Sequence, residues 1–237
     1  MDIKSILKDA DMVLVGIGEI FQDKFENITV EEEKKSTIFE DYAKKKYLDS
    51  CKDDDVMYAY SNLEKLLEGK NYFVVTLCTD DKIFRTNIKK DRIVAPCGSY
   101  SFLQCKDVCT EDIYPLEEYM HEIEEEKEPL CPKCGQSLVM NHIGVKKYSE
   151  EGYLKKWNIY MKWLQGSLNR KICILELGVG MKYPSVIRWP FEKISFINNQ
   201  AKFIRVHENL YQLTEDIKEK GVSIQENPID FLRNQIV

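Results

Sequence analysis

The stretch from Lys171 to Gly180 reads KICILELGVG, an apolar run that ends in two glycines. Residues 11–18, DMVLVGIG, have the same form near the start of the chain. Short apolar runs that stop at glycine turns predict buried strands of a parallel sheet. Further strands are predicted at residues 72–77, 92–95, 194–197, 202–206 and 222–224. Helices are predicted at residues 31–50, 61–69, 150–165 and 208–220. This alternation of strands and helices predicts an α/β fold with a doubly wound parallel sheet.

Two close cysteine pairs interrupt this alternation. The pattern is Cys105-x3-Cys109, then 21 residues, then Cys131-x2-Cys134. This spacing is typical of a zinc ion held by two knuckles. Four thiolates leave no open coordination position, so we expect a structural zinc ion rather than a catalytic one. The pairs lie in a segment, residues 101–143, that we interpret as an insert in the α/β domain.

The composition excludes several classes of function. The chain has 237 residues, a net charge of −6 and a pI of about 5.3, which argues against nucleic acid as a partner. No apolar run approaches the roughly 20 residues that span a bilayer, and the charged start is unlike a signal peptide. Eight cysteines in such a chain indicate metal ligands and free thiols in a reducing cytoplasm.

Three of the predicted strands end in residues that suit a ligand. In open α/β sheets, ligands bind outside the carboxyl ends of the strands. The turns Gly16-Ile17-Gly18 and Gly178-Val179-Gly180 would let a phosphate group approach the backbone, and Asn198 would offer an amide to a ribose or a base. The sequence therefore predicts a nucleotide pocket, although isolated glycine turns also occur without one.

Together with the zinc insert, these motifs resemble the sirtuins, and most closely the class M sirtuins. The resemblance is carried by Gly16-Ile17-Gly18, Thr76-Leu77-Cys78-Thr79-Asp80, Cys97-Gly98, Gly178-Val179-Gly180 and Ile197-Asn198. The stretch Leu175–Gly180, followed by Pro184, Ile187 and Pro190-Phe191, is its most specific part.

The resemblance implies a Rossmann-like NAD-binding domain, made of residues 1–100 and 144–237, that carries the zinc insert of residues 101–143. The NAD-binding residues that it implies are Gly16, Gly18, Thr76, Asp80, Gly178, Val179, Gly180 and Asn198. The zinc ligands that it implies are Cys105, Cys109, Cys131 and Cys134.

The chain departs from the sirtuin pattern at three positions of the pocket. Cys97 stands where most sirtuins have a catalytic histidine, and Cys78 stands where the motif has asparagine. Glu19 places a negative charge where a pyrophosphate would approach. A thiol is a poor substitute for a histidine base, so deacylation is disfavoured.

The resemblance therefore implies transfer of ADP-ribose from NAD to a protein acceptor, with Asp80 and Cys97 as the candidate catalytic residues. Two structural alternatives stay open: Asp80 as a helix cap and Cys97 as an inert buried thiol. Two other functions also stay open. One is a catalytically inactive module that binds NAD, ADP-ribose or a partner protein, and the other is a thiol-based reaction at Cys78 or Cys97, which could face one another across the pocket.

Overall fold

The computed structural model describes residues 3–22, 38–51 and 54–235. Two sheets contain the strands, and helices pack around them. The strands are β1 (Met12–Ile17), β2 (Asn71–Thr76), β3 (Ile93–Val94), β4 (Gly98–Cys105), β5 (Ile113–Pro115), β6 (Leu138–His142), β7 (Ile172–Leu177), β8 (Lys202–Val206) and β9 (Gly221–Ile224). The helices are α1 (Ile3–Asp9), α2 (Ile38–Ser50), α3 (Asp54–Leu67), α4 (Met120–Glu124), α5 (Glu151–Gln165), α6 (Arg188–Ile197) and α7 (Pro228–Arg233).

The larger sheet has the order β3-β2-β1-β7-β8-β9, and its strands pair in parallel. Counted along the chain, this is the doubly wound order 3-2-1-4-5-6 of the Rossmann fold. The order reverses between β1 and β7, which are paired from Met12–Ile172 to Ile17–Leu177. The α/β fold and the parallel doubly wound sheet predicted from the sequence are confirmed.

The smaller sheet is antiparallel, in the order β5-β4-β6. It packs its own apolar cluster, which includes Leu103, Leu138 and Met140, against α2. The ladder between β4 and β6 starts at Gly98, which pairs with His142. Since Gly98 follows Cys97 directly, the smaller sheet begins beside the end of β3 in the larger one.

The larger sheet is buried on both faces. Every residue of β1 and of β7 is buried. One face packs α1, α3 and α7 through residues such as Val15, Leu63 and Leu175, and the other packs α5 and α6 through residues such as Leu14, Tyr160 and Phe191. Burial on both sides explains why these strands are almost entirely apolar in the sequence.

The prediction of a strand at residues 194–197 is wrong. These residues form the last turn of α6, whose buried residues Arg188, Phe191 and Ser195 follow helical spacing. Phe196 and Ile197 are exposed, so the apolar run does not mark a buried strand.

The predicted helix at residues 208–220 is also wrong, because this segment consists of turns and irregular structure. The imidazole of His207 accepts the N–H groups of Asn209 and Leu210, and such local side-chain bonds compete with helix formation.

Two other predicted helices have different bounds. The helix predicted at residues 61–69 starts earlier, as α3. Of the helix predicted at residues 31–50, α2 forms the part from Ile38 onward, and residues 31–37 lie outside the described residues.

Candidate functional site

A crevice lies at the carboxyl ends of β1 and β7, where the strand order reverses. Gly18 follows β1, and its N–H donates to the carbonyl oxygen of Leu177 at 2.8 Å. A methyl group on Gly18 would overlap the carbonyl of Gly178, which itself has a φ of +64°. Glycine is therefore required at both positions, one for the close approach and one for the left-handed backbone. The two glycine turns predicted from the sequence meet here.

The side chain of Glu19 crosses this crevice. Its Oε2 accepts the backbone N–H of Gly180 at 3.2 Å. A methyl group on Gly180 would overlap the same carboxylate, so the missing side chain makes room for it. The carboxylate thus occupies a backbone donor of the second glycine turn, and the charge that the sequence places near the pocket lies inside it.

Arg188 holds two loops of the crevice together. Its guanidinium donates to the carbonyl oxygen of Val179 at 2.9 Å and to that of Leu210 at 2.8 Å. It also lies 3.5 Å from the carboxylate of Glu176. Because one rigid group bonds both carbonyls, the loop after β7 and the loop after β8 have a fixed relative position.

A buried network of ion pairs joins the strands and the helix that carry these loops. Arg205 on β8 donates to both carboxylate oxygens of Glu176 on β7, at 2.6 and 3.0 Å, and to Glu192 on α6 at 2.7 Å. Arg205 and Glu176 are each 1% exposed. Bidentate pairing offsets part of the cost of burying these charges, although burial still raises the pKa of Glu176. The network joins β7, β8 and α6 beneath the crevice.

The end of β2 forms a third side of the crevice. The Thr76 hydroxyl accepts the N–H of Cys78 at 3.0 Å, and the Cys78 thiol donates to the carbonyl oxygen of Gly18 at 3.4 Å. Asp80 is 1% exposed, and its Oδ1 accepts the N–H of Lys82 at 3.2 Å. This bond holds the turn between β2 and the short helical segment that starts at Lys82, whose N-cap residue is Asp81, and the carboxylate lies beside Cys78.

Both candidate thiols are buried. Burial raises the pKa of Cys97 to about 12, and the negative charge of Glu19 adds to the rise. Burial and the charge of Asp80 likewise raise the pKa of Cys78. A protonated thiol is neither a base nor a good nucleophile, so the environment favours the inert alternative for Cys97 and gives the thiol reaction no support.

Asn198 does not reach the crevice. It lies at the carboxyl end of α6, just before β8, and therefore beside the amino ends of the strands, opposite the crevice. Its amide donates to the carbonyl oxygens of Ser167 and Arg170 at 3.0 and 3.1 Å, and its oxygen accepts the N–H of Gln200. The prediction that Asn198 follows a strand is wrong, because the segment before it is helical, and we do not propose it as a nucleotide ligand.

The residue that follows the next strand is His207, which sequence reasoning did not select. It lies at the carboxyl end of β8, and its Nδ1 accepts the N–H groups of Asn209 and Leu210 at 3.1 and 3.2 Å. Burial lowers the pKa of His207, and the positive charge of Arg188 lowers it further. The strand before it was predicted from the sequence, so the rule that ligands bind after strand ends could have pointed to this histidine.

A second histidine lies near Cys97 but has a structural role. His142 faces Gly98 across the β4–β6 ladder. Its Nδ1 accepts the N–H of Gly144 at 3.1 Å, and its Nε2 lies 3.1 Å from the carboxylate of Asp41 on α2. Both ring nitrogens are therefore engaged, and the imidazole joins β6 to α2 rather than serving as a free base.

The four predicted metal ligands come together in the smaller sheet and its loops. The thiols of Cys105, Cys109, Cys131 and Cys134 all lie within 4.8 Å of one another. The Cys105–Cys134 and Cys109–Cys131 sulfur distances are both 3.6 Å. Four thiolates at about 2.3 Å from a tetrahedral ion would be about 3.8 Å apart, so the cluster could hold a metal ion.

Within the described ranges, no helix has the length and apolar character needed to cross a membrane.

Comparisons with known proteins agree with this geometry. No family model matches the chain. It is 23% identical over 189 residues to a protein ADP-ribosyltransferase of Staphylococcus aureus (strain Mu50 / ATCC 700699), covering 74% of this chain and 59% of the relative. It is 30% identical over 154 residues to a probable bifunctional ADP-ribose hydrolase/ADP-ribosyltransferase of Fusarium oxysporum f. sp. cubense, covering 58% of this chain and 26% of that protein. The chain thus spans less than two thirds of either curated relative.

Solved structures resemble the whole chain. A sirtuin studied for its substrate affinity superposes with a TM-score of 0.64 at 16% identity, covering 100% of this chain and 98% of the other. Sir2 with a p53 peptide and NAD+ superposes with a TM-score of 0.62 at 16% identity, covering 98% and 96%. These similarities confirm the fold that the sequence motifs predict.

Proposed function

We propose that this divergent sirtuin-like protein binds NAD in the crevice between β1 and β7 and transfers ADP-ribose to a protein acceptor. The observation that carries the proposal is the contact of the Gly18 and Gly178 turns at the point where a Rossmann-type sheet reverses its strand order. In sheets of this order, dinucleotides bind across this crevice. The relatives named as ADP-ribosyltransferases support the choice of reaction.

The residues proposed to contact NAD surround this crevice. The turns at Gly18 and Gly178–Gly180 are proposed to let the phosphates approach the backbone, while Thr76 and Asp80 line the side formed by β2. Gly16 lies within β1, and its missing side chain makes room for Ile187 and Phe191, so we do not propose it as a phosphate contact. The cysteine cluster is proposed to hold a structural zinc ion, within an insert of residues 101–143 between the two parts, 1–100 and 144–237, of the NAD-binding domain. Solved Sir2 with a bound peptide supports a protein as the acceptor.

The proposed reaction breaks the bond between the nicotinamide nitrogen and the ribose carbon. The electron pair of that bond leaves with the nicotinamide, which becomes neutral and needs no proton. A nucleophilic side chain of the acceptor forms the new bond to the ribose carbon, and any proton that it carries passes to solvent. No histidine base is needed, which fits a chain in which Cys97 is buried with its pKa raised to about 12.

The role proposed for Asp80 is to stabilise the positive charge that develops on the ribose. Its carboxylate is buried at the end of β2, where a fixed negative charge acts strongly. The variant Asp80→Asn keeps an oxygen that can accept the Lys82 N–H and removes only the charge. Asp81→Asn is the matched control, because it removes the charge of the neighbouring acid, whose carboxylate accepts a bond from Ser99 on β4.

The test is the release of nicotinamide from NAD by the metal-loaded protein in the presence of a cell-extract acceptor. We expect Asp80→Asn to lower the rate at least tenfold at an unchanged melting temperature, and Asp81→Asn to retain most of it. An absence of release from the unmodified protein with any acceptor would refute the transferase proposal. Equal rates for Asp80→Asn and the unmodified protein would refute the role of Asp80.

A further inference from the structure

We propose that Glu19 determines whether the crevice accepts a pyrophosphate, because its carboxylate and a phosphate group compete for the N–H of Gly180. The inference rests on the proposed function in one respect, namely that the pyrophosphate is part of NAD. It adds a specificity-determining residue to that site. A dinucleotide would bind only when the Glu19 side chain turns away from Gly180.

The contact between Glu19 and Gly180 resembles that of a phosphate group at a glycine turn. Backbone N–H groups of glycine turns at strand ends are typical donors to phosphate oxygens. In this chain the Gly180 N–H donates instead to Oε2 of Glu19, at 3.2 Å. A carboxylate presents oxygens and a negative charge to the donor, as a phosphate does. The protein's own side chain therefore occupies the position of an anionic ligand.

The Glu19 carboxylate also fills the space beside Gly180. This residue is buried, and a methyl group on it would overlap the Glu19 carboxylate. The space left by the missing side chain is thus filled by that carboxylate. A phosphate group that approached the same N–H would meet the carboxylate oxygens, so the two cannot occupy the position together.

The charge of Glu19 also opposes a pyrophosphate in the crevice. Within the described part of the chain, Glu19 has no ion pair with a lysine or arginine, and its contact is the Gly180 N–H. The nearby Arg188 interacts electrostatically with Glu19, but it donates its hydrogen bonds to the carbonyl oxygens of Val179 and Leu210 and forms no ion pair with Glu19. The negative charge of Glu19 therefore acts on the crevice and repels a pyrophosphate as it approaches.

The Glu19 side chain can rotate while its backbone stays in place. Glu19 is half-buried and starts a short helical turn that ends at Phe21. Phe21 is fully buried and stacks on Tyr60, with ring centroids 5.4 Å apart. The turn is anchored by this packing, so rotation about the Glu19 side-chain bonds is sufficient to vacate the Gly180 N–H.

The test compares Glu19→Gln with the unmodified protein and with Glu208→Gln. Glutamine keeps the shape and an oxygen for the Gly180 N–H but removes the charge. Glu208→Gln removes one negative charge from the same edge of the sheet, where Glu208 is exposed and accepts a bond from Asn227. The probes are inorganic pyrophosphate, followed by the backbone amide signal of Gly180 in NMR spectra, and NAD, followed by calorimetry.

We expect Glu19→Gln to bind pyrophosphate at least tenfold more tightly than the other two proteins, with a shift of the Gly180 signal, and to gain as much affinity for NAD. Equal affinities in all three proteins, an equal gain in Glu208→Gln, or no pyrophosphate binding to any of them would overturn the inference. A gain for pyrophosphate without any binding of NAD would support the role of Glu19 and contradict the proposed function.

Discussion

Gly18 and Gly178 touch through their backbones at the ends of β1 and β7, so that a methyl group on Gly18 would overlap the Gly178 carbonyl. The two glycines are 160 positions apart in the numbering, yet they form one wall of the crevice. Their contact depends on the register that pairs Ile17 with Leu177. The proposed NAD site is therefore a consequence of how the sheet is ordered.

The first prediction concerns Gly18→Ala. The added methyl group meets backbone atoms of Gly178 and Val179, which cannot rotate away as a side chain would. Overpacking of this kind costs about 1–3 kcal/mol, so we expect the free energy of unfolding in urea to fall by about that amount. We also expect NAD binding to be lost, because the two turns must separate.

The control for this variant is Gly166→Ala at the end of α5. A methyl group there would approach the carbonyl of Trp163 at 3.2 Å, a contact that small shifts relieve. Stability should stay within about 0.5 kcal/mol, as for most surface changes. Full stability and full NAD binding in Gly18→Ala would show that the glycine contact is not needed for the site.

The parts of the sheet that the sequence predicts correctly are the strands buried on both faces. The runs in β1, β2, β7 and β8 are mainly apolar, because nearly every residue in these strands is buried. The strand predicted at residues 194–197 fails for the opposite reason. Phe196 and Ile197 are apolar but exposed, so their hydrophobicity does not report burial. Because residues 194–197 were predicted as a strand, Asn198 was predicted as the nucleotide-binding residue that follows a strand.

The second prediction concerns pH. Burial and Arg188 lower the pKa of His207 below its ordinary value of 6.5, and its Nδ1 must be unprotonated to accept two backbone N–H groups. As pH falls below about 6.5, the unfolded chain takes up a proton that the folded chain does not. The free energy of unfolding therefore falls with pH in that window, by at most about 1.4 kcal/mol per pH unit for this group.

Urea unfolding of His207→Asn between pH 7.5 and 5 measures this contribution. Asparagine can place an oxygen where Nδ1 lies but does not titrate, so we expect a smaller dependence of stability on pH than in the unmodified protein. His121→Asn is the control, because His121 is exposed on α4. An unchanged pH dependence in His207→Asn would contradict the lowered pKa of His207.

The third prediction concerns the cysteine cluster. Cys131→Ser removes one of four thiols that lie within 4.8 Å of one another, and metal binding by such clusters contributes directly to folding. If the metal contributes about 3 kcal/mol, the melting temperature should fall by about 6–12 °C, since about 1 kcal/mol corresponds to 2–4 °C at this chain length. Elemental analysis should show loss of the bound metal.

Cys51→Ser is the control for the loss of a thiol, since Cys51 lies outside the cluster. It should retain both the metal and the melting temperature. Purified protein that contains no metal and melts at the same temperature with and without a chelator would contradict a structural metal ion.

The candidate ligands of the metal could be predicted from spacing alone, because Cys105–Cys109 and Cys131–Cys134 are local pairs whose geometry depends on short loops. The crevice was predictable only in part. The glycine turns are local features, whereas the bond between Glu19 and Gly180 and the position of His207 arise from β1, β7 and β8 being neighbours. Sequence reasoning assigned Glu19 an unfavourable charge but could not show which backbone group it would hold.

The most direct test of the proposed site is amide hydrogen exchange of the metal-loaded protein with and without millimolar NAD. We expect NAD to slow exchange in peptides that cover residues 16–22, 76–80 and 177–181, and to leave residues 198–201 unchanged. If NAD slows amide exchange nowhere, or slows it only at residues 198–201 beside the amino ends of the strands, NAD binding in the crevice between β1 and β7 is contradicted.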